Sequence, residues 1–135
     1  EDRREQLLMD LSLNLRGLIS QRLVPREGGK GRIAATEIML NSPLIADLIF
    51  KGEVTKIKEV MARSTRIGMK TFDQSLFDLY ETGFISYEDA LRNADSKNEL
   101  RLRVKLESKR NTPAAADAAG LELVDDKDDA NGRYP

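Results

Sequence analysis

LISQRLVPREGGKGRIAATEIML, residues 18–40, decides the architecture. Two β-compatible runs, Leu18–Val24 and Arg32–Leu40, flank PREGGKG, whose three glycines permit the positive φ of a chain reversal. The stretch therefore predicts a β-hairpin. Its second run, RIAATEIML, is apolar on both faces and broken only by Thr36 and Glu37. That pattern belongs to a strand covered on both sides, as in a larger sheet that this chain does not supply. Glu37 is the one ionisable residue within the apolar run, where an unpaired charge would cost on the order of several kcal/mol. Two readings stay open for it: an ion pair with Arg22 or Arg32 of the same hairpin, or a polar functional site.

Upstream of the hairpin, Leu7, Leu8, Leu11 and Leu15 fall on one helical stripe, and Glu1, Asp2 and Glu5 suit the positive end of its dipole. A helix is expected over residues 1 to about 16. Downstream, Ser42 as N-cap, Pro43 at the first helical position and Gly52 as stop frame a helix with Leu44, Ile45, Leu48 and Ile49 on its apolar stripe. A second helix carries Val54, Ile57, Val60 and Met61 and ends near Gly68. Thr71 and Gln74 form a capping box for a third, with Phe72, Leu76, Leu79 and Tyr80, stopping at Gly83. Ser86 with Asp89 and Ser96 with Glu99 repeat the cap signal more weakly. In LRLRVKLE, residues 100–107, the alternation of Leu100, Leu102, Val104 and Leu106 suits a strand, but the Ser96 cap tips the reading to helix. From residue 109 onward the chain is rich in Ala and Asp and poor in large apolar side chains, so a disordered tail is expected over 109–135.

Composition removes most catalytic machinery. With no Cys and no His among 135 residues, thiolate zinc sites, Cys nucleophiles and His-dependent triads are excluded. Twenty-two Lys and Arg against 23 Asp and Glu leave a net charge of −1, which gives no electrostatic reason to expect nucleic acid or an anionic membrane as partner. The basic series Arg101, Arg103, Lys105, Lys109 and Arg110 has no aromatic residue interleaved to stack bases. EGGKGRI is the only Gly-Lys cluster; it runs into a strand and lacks the Ser or Thr that holds magnesium in a phosphate loop, so it reads as a hairpin turn. No apolar run approaches the roughly 20 residues that span a bilayer. The opening residues do not resemble a signal peptide, which places the chain in the cytoplasm. The start at Glu1, directly in a helical pattern, reads as a piece of a longer protein.

Four stretches carry a resemblance: RREQLLMDLSLNLRGLISQRLVP, GRIAATEIMLNSPLIADLIFKGEVTKIKEVM, GMKTFDQSLFDLYETGFISYEDALRNADS and NELRLRVKLES. In order and spacing they resemble the C-terminal part of the PilT/PilU family of type IV pilus twitching-motility (retraction) ATPases, closest to the PilU-like branch, over residues 1 to about 108. The resemblance implies an α/β parent with a RecA-like P-loop NTPase domain. Residues 1–41 would be the distal part of that ATPase core and 42–108 a C-terminal helical subdomain, with 109–135 the tail. It also implies a homohexamer using ATP and Mg at the inner-membrane base of the pilus. A sister retraction ATPase and the inner-membrane platform protein are its implied partners. The family's Walker A, acidic, Walker B and His boxes would lie before Glu1, so no catalytic, cofactor-binding or metal residue is expected in this stretch. The family's retraction motif, written AIRNLIRE, falls on LIADLIFK, residues 44–51. Ile45, Leu48 and Ile49 match, Asp47 stands for Asn, and Ala46, Phe50 and Lys51 depart from Arg, Arg and Glu. Read on spacing alone, Ile45, Leu48 and Ile49 are ordinary core positions. A non-catalytic adaptor of pilus machinery is the alternative.

Overall fold

The computed structural model describes residues 2–110; the expected tail lies outside them, apart from its first two residues. Helix α1 (Asp2–Asn14) leads into strands β1 (Gly17–Pro25) and β2 (Arg32–Leu40), followed by α2 (Pro43–Lys51), α3 (Val54–Arg63), α4 (Phe72–Glu81), α5 (Tyr87–Asn93) and α6 (Lys97–Glu107). A 3₁₀ turn at Thr65–Ile67 separates α3 from α4. Where three helices and one less certain were expected after the hairpin, there are five. The Ser86 signal is real, since its hydroxyl accepts the Asp89 N–H at 3.1 Å and opens α5. Residues 100–106 are helical, their alternation serving only Leu100 and Val104, which are buried, while Leu102 and Leu106 face solvent.

The hairpin forms as read. β1 and β2 pair antiparallel from Gly17 opposite Leu40 to Pro25 opposite Arg32. Gly28, Gly29 and Gly31 turn the chain with φ of 88°, 77° and 78°, a region closed to most other residues. The pleat sends Leu18, Ser20, Arg22 and Val24, with Ile33, Ala35, Glu37 and Met39, to one face, which the helices cover. The other face carries Ile19 and Leu23, 75% and 56% exposed. β2, whose sequence suits cover on both sides, buries Ala35 and Met39 on the covered face and keeps Ala34, Thr36 and Ile38 half-buried on the other.

Two apolar clusters meet the covered face. Near the turn, Val24 and Ala35 join Phe72, Leu76, Tyr80, Ile85, Leu100 and Val104 of α4, the loop after it and α6. Near the open end, Met39 joins Ile45, Leu48 and Ile49 of α2 with Ile57 and Met61 of α3. Helix α1 packs on α2, with Leu8 and Leu15 turned toward the second cluster, Leu11 at 39% exposure lining the cavity beside it and Leu7 largely exposed, so half of its expected stripe meets the core.

Local signals fix where the helices start and stop. Ser42 Oγ accepts the Ile45 N–H at 3.3 Å, and Gly52, with φ of 69°, closes α2. At α4 the capping box is complete: Gln74 N–H donates to Thr71 Oγ1 at 3.3 Å and Thr71 N–H to Gln74 Oε1 at 3.0 Å. Gln74 Nε2 also donates to the Ala62 carbonyl at 3.0 Å, tying the start of α4 to the end of α3. Ser96 differs. Its hydroxyl makes no cap bond; instead Asp73 accepts the N–H groups of both Asp95 and Ser96 at 2.8 and 3.0 Å. Thr71→Ala is therefore expected to cost about 1 kcal/mol in urea unfolding, and Ser96→Ala to leave the midpoint unmoved. Equal losses from the two would contradict this assignment of caps.

Candidate functional site

Two places collect the residues that the sequence singled out. The first is α2, which holds the motif-like stretch. Ile45, Leu48 and Ile49 point inward and are 0%, 6% and 7% exposed, so the apolar half of the stretch is core. Asp47 and Lys51 lie one turn apart on the outer side and pair at 2.7 Å. The Asp47 carboxylate holds the Lys51 ammonium above its ordinary pKa, first through their hydrogen bond and then through charge. Phe50, 52% exposed, lies beside them. The outer side of α2 is thus a self-neutralised pair and one exposed aromatic ring, a surface without net charge where the family motif carries charged residues.

The second place is the covered hairpin face between the two clusters. Ser20, Arg22 and Glu37 form a polar strip there, with Val24 and Ala35 on one side and Met39 on the other. Glu37 does not pair with Arg22 or Arg32. Arg32 sits on the opposite face of the hairpin, and the Arg22 guanidinium turns away to Asp95 Oδ1 at 2.7 Å and the Asn93 carbonyl at 2.6 Å. It also lies over the Phe72 ring, 4.0 Å from the centroid, where the ring's quadrupole favours a cation. The charge facing Glu37 is Lys58 of α3, at 3.8 Å, and the Phe72 N–H at the start of α4 donates to Glu37 Oε2 at 3.4 Å. Lys58 in turn bonds Asp95.

Asp95 is the hub, receiving Arg22 from β1 and Lys58 from α3 while its own N–H is held by Asp73 of α4. Partial burial works to raise its pKa, but the bonds from Lys58 and Arg22 outweigh burial and hold the carboxyl below its ordinary value. At Lys58, burial pulls the other way and is likewise outweighed, by Asp95 and Glu37, so its pKa is raised. Both groups are held charged. Reading the sequence alone misses Lys58, Asp73 and Asp95. Lys58 left a trace, a lysine at the i+4 position from Val54 and i−3 from Met61 on an otherwise apolar stripe. Asp73 and Asp95 left none, since their meeting depends on the path between α5 and α6.

Chemically this network clamps elements together. An apolar cavity of about 350 Å³ lies beside it, between α1, the hairpin and α3, with Glu37 and Lys58 on one wall. It offers one carboxylate and the ammonium that faces it, and no third ionisable side chain. The residues also do not fit a Mg-ATP site: the Gly-rich loop joins two strands and heads no helix, and no group of three metal-ligating side chains occurs among the described residues.

No family model matches the sequence. The type IV pilus ATPase PilU of Pseudomonas aeruginosa is 53% identical over 133 residues, 98% of this chain and 35% of PilU. The chain belongs to the PilT/PilU family. The retraction ATPase PilT of the same organism is 39% identical over 84 residues, which is 62% of the chain and 24% of PilT. A crystal structure of the pilus retraction motor PilT with bound ADP superposes with a TM-score of 0.60 at 35% identity, covering 70% of the chain and 26% of that protein. The chain thus spans about a third of PilU and about a quarter of PilT. No helix among the described residues is long and apolar enough to cross a membrane.

Proposed function

We propose that this chain is the C-terminal portion of a hexameric type IV pilus retraction ATPase and passes ATP-driven motion on to pilus disassembly. The identity running through 98% of the chain to PilU carries this reading. In the parent, ATP and Mg would be handled by residues outside this chain, and residues 1–41 would form the distal edge of the ATPase core, with 42–108 as its helical subdomain. The role of this part is mechanical. The Arg22, Lys58 and Asp95 clamp, with two clusters that both include hairpin residues, makes the hairpin and helices fit to move as one body. Further copies of the parent, a sister retraction ATPase and the inner-membrane platform protein are the partners of this reading, on the cytoplasmic side of the pilus base. The neutral outer side of α2 favours an accessory, PilU-like role over that of the principal motor.

Two measurements test it. The 135-residue chain on its own is expected to give no ATP hydrolysis and no heat of nucleotide binding in calorimetry; tight binding of an ATP analogue would overturn the assignment of nucleotide handling to other residues. In the full-length parent, Lys51→Glu places an acid beside Asp47 and opens their pair while the buried stripe stays in place. Retraction is expected to change while hydrolysis persists. If both stay unchanged, the outer side of α2 is not a coupling surface. An upstream reading frame without a phosphate loop would favour the adaptor alternative.

A further inference from the structure

Lys109 and Arg110, which composition puts in a disordered tail, instead fold back onto the end of α4 and the hairpin turn. Glu81, the last residue of α4, receives the chain first: its Oε2 accepts the Ser108 hydroxyl and its Oε1 the Lys109 N–H, both at 2.7 Å. The Ser108 hydroxyl first, and the Lys109 amide second, hold the Glu81 carboxyl below its ordinary pKa. Ser108 Oγ then accepts the Arg110 N–H at 3.1 Å, which closes a tight bend. From that bend Arg110 Nη1 donates to the Tyr80 carbonyl at 2.5 Å and to the Ile85 carbonyl at 3.4 Å, while Nη2 donates to Glu27 Oε2 and Oε1 at 3.0 and 3.3 Å. The guanidinium lies over the Tyr80 ring, 4.7 Å from its centroid, and at the negative end of the α4 dipole, two settings that favour a cation. Glu27 belongs to the turn between β1 and β2. Its own N–H donates to the Phe84 carbonyl at 2.9 Å, and Arg26 beside it stacks on the Phe84 ring at 5.7 Å.

We propose that residues 108–110 are a releasable strap, pinned by Arg110, that fastens the hairpin turn to the helices and opens without disturbing either apolar cluster. Arg110 alone joins three segments: the turn through Glu27, the end of α4 through Tyr80, and the loop before α5 through Ile85. No residue of the strap is apolar, and none belongs to either cluster. Hydrogen bonds and charge hold it. The Arg110 and Glu27 side chains are 30% and 43% exposed, so their ion pair is weakened by salt. Val24 and Ile33 stay packed in the first cluster when the strap is off, which keeps the β-ladder in place. The turn is then left with the Glu27 amide bond and the Arg26 contact to Phe84. Lysine does not replace the pin, because its donors share one nitrogen, whereas the guanidinium fork reaches carbonyls with one nitrogen and a carboxylate with the other. Glu27 falls in the part assigned to the ATPase core, so the strap joins core to helical subdomain; that assignment, unlike the strap, rests on the function proposed above.

The test is hydrogen exchange by mass spectrometry on the full-length parent, read in peptides that contain Glu27 and, as reference, in peptides of α2. Arg110→Ala is expected to speed exchange at the turn by about tenfold and to leave α2 unchanged. Arg110→Lys is expected to give most of the same gain, since it keeps the charge and loses the fork. Glu27→Gln opens the ion pair alone and should give a smaller gain. Combined with Arg110→Ala it should add nothing, because the pair is already gone. Raising salt should quicken the turn in the native protein and not in Arg110→Ala. Native exchange at the turn in Arg110→Ala, or strictly additive effects of the two substitutions, would overturn the proposal. So would an Arg110→Ala protein that fails to fold or quickens α2 as much as the turn, since the strap would then be part of the core and not a fastening upon it.

Discussion

Leu48→Ala lowers the unfolding free energy of this chain by about 2 to 5 kcal/mol, the range for emptying a leucine site in a packed core. Leu48 is 6% exposed and sits in the cluster joining α2, α3 and Met39 of the hairpin. Collapse around the gap is limited because Ile45 and Ile49 are anchored on the same helix, which Ser42 and Gly52 fix at both ends. For a domain of this size the midpoint temperature should fall on the order of 10 °C or more, read by thermal unfolding followed in the far ultraviolet. A fall of one or two degrees would mean that α2 is not seated as described. Lys51→Glu acts on the same helix from the water side, where the pair it opens is solvated and screened. The fold should survive it. The contrast separates packing from coupling: a change in retraction caused by Lys51→Glu cannot be put down to loss of the core.

Asp95→Asn is expected to cost about 1 to 2 kcal/mol at neutral pH, as the loss of charge-assisted hydrogen bonds from two cations, reduced because Arg22 and Lys58 keep substantial solvent contact. Its pH dependence is the sharper readout. The folded pKa of Asp95 lies below the ordinary aspartate value of 3.8. The unfolded state therefore binds this proton first as pH falls. The contribution of Asp95 is complete above its unfolded pKa and is lost as pH drops from there through the folded value. Denaturant midpoints of the native chain and of Asp95→Asn should differ at pH 7, begin to converge as pH falls below about 4, and meet only below the folded pKa, where the native carboxyl also loses its charge. A gap that stays constant down to the acid limit would show that Asp95 acts through shape and not through its charge. The same substitution frees Arg22 on β1 and Lys58 on α3 together, so hydrogen exchange at the junction of hairpin and helices should quicken more than at the centre of either cluster.

Much of this molecule is decided along the chain, within a few residues of each feature. The hairpin follows from two β-compatible runs and a turn whose glycines alone accept its dihedrals. Ser42, Thr71 with Gln74, and Gly52 set helix ends because a cap bond reaches only three residues. The buried stripe of α2 follows from helical spacing, which brings Ile45, Leu48 and Ile49 to one side whatever lies against them. The family relation is equally a property of residue order. Local reading stopped where the deciding contact spans the fold. Glu37 needed a cation, and the nearest ones on its own hairpin were Arg22 and Arg32. The pleat put Arg32 on the other face, and Phe72, Asn93 and Asp95 drew Arg22 away, so Lys58 of α3 answers Glu37. Ser96 looked like a cap, yet Asp73, some twenty residues earlier, holds that turn. The leucine stripe of α1 is clear in the sequence, but whether Leu7 and Leu11 are covered depends on what packs there, and here only Leu8 and Leu15 meet the core. Periodicity fixes which residues share a face because backbone geometry is local. Which face is covered, and which charge meets which, is settled only when distant elements compete for the same partner.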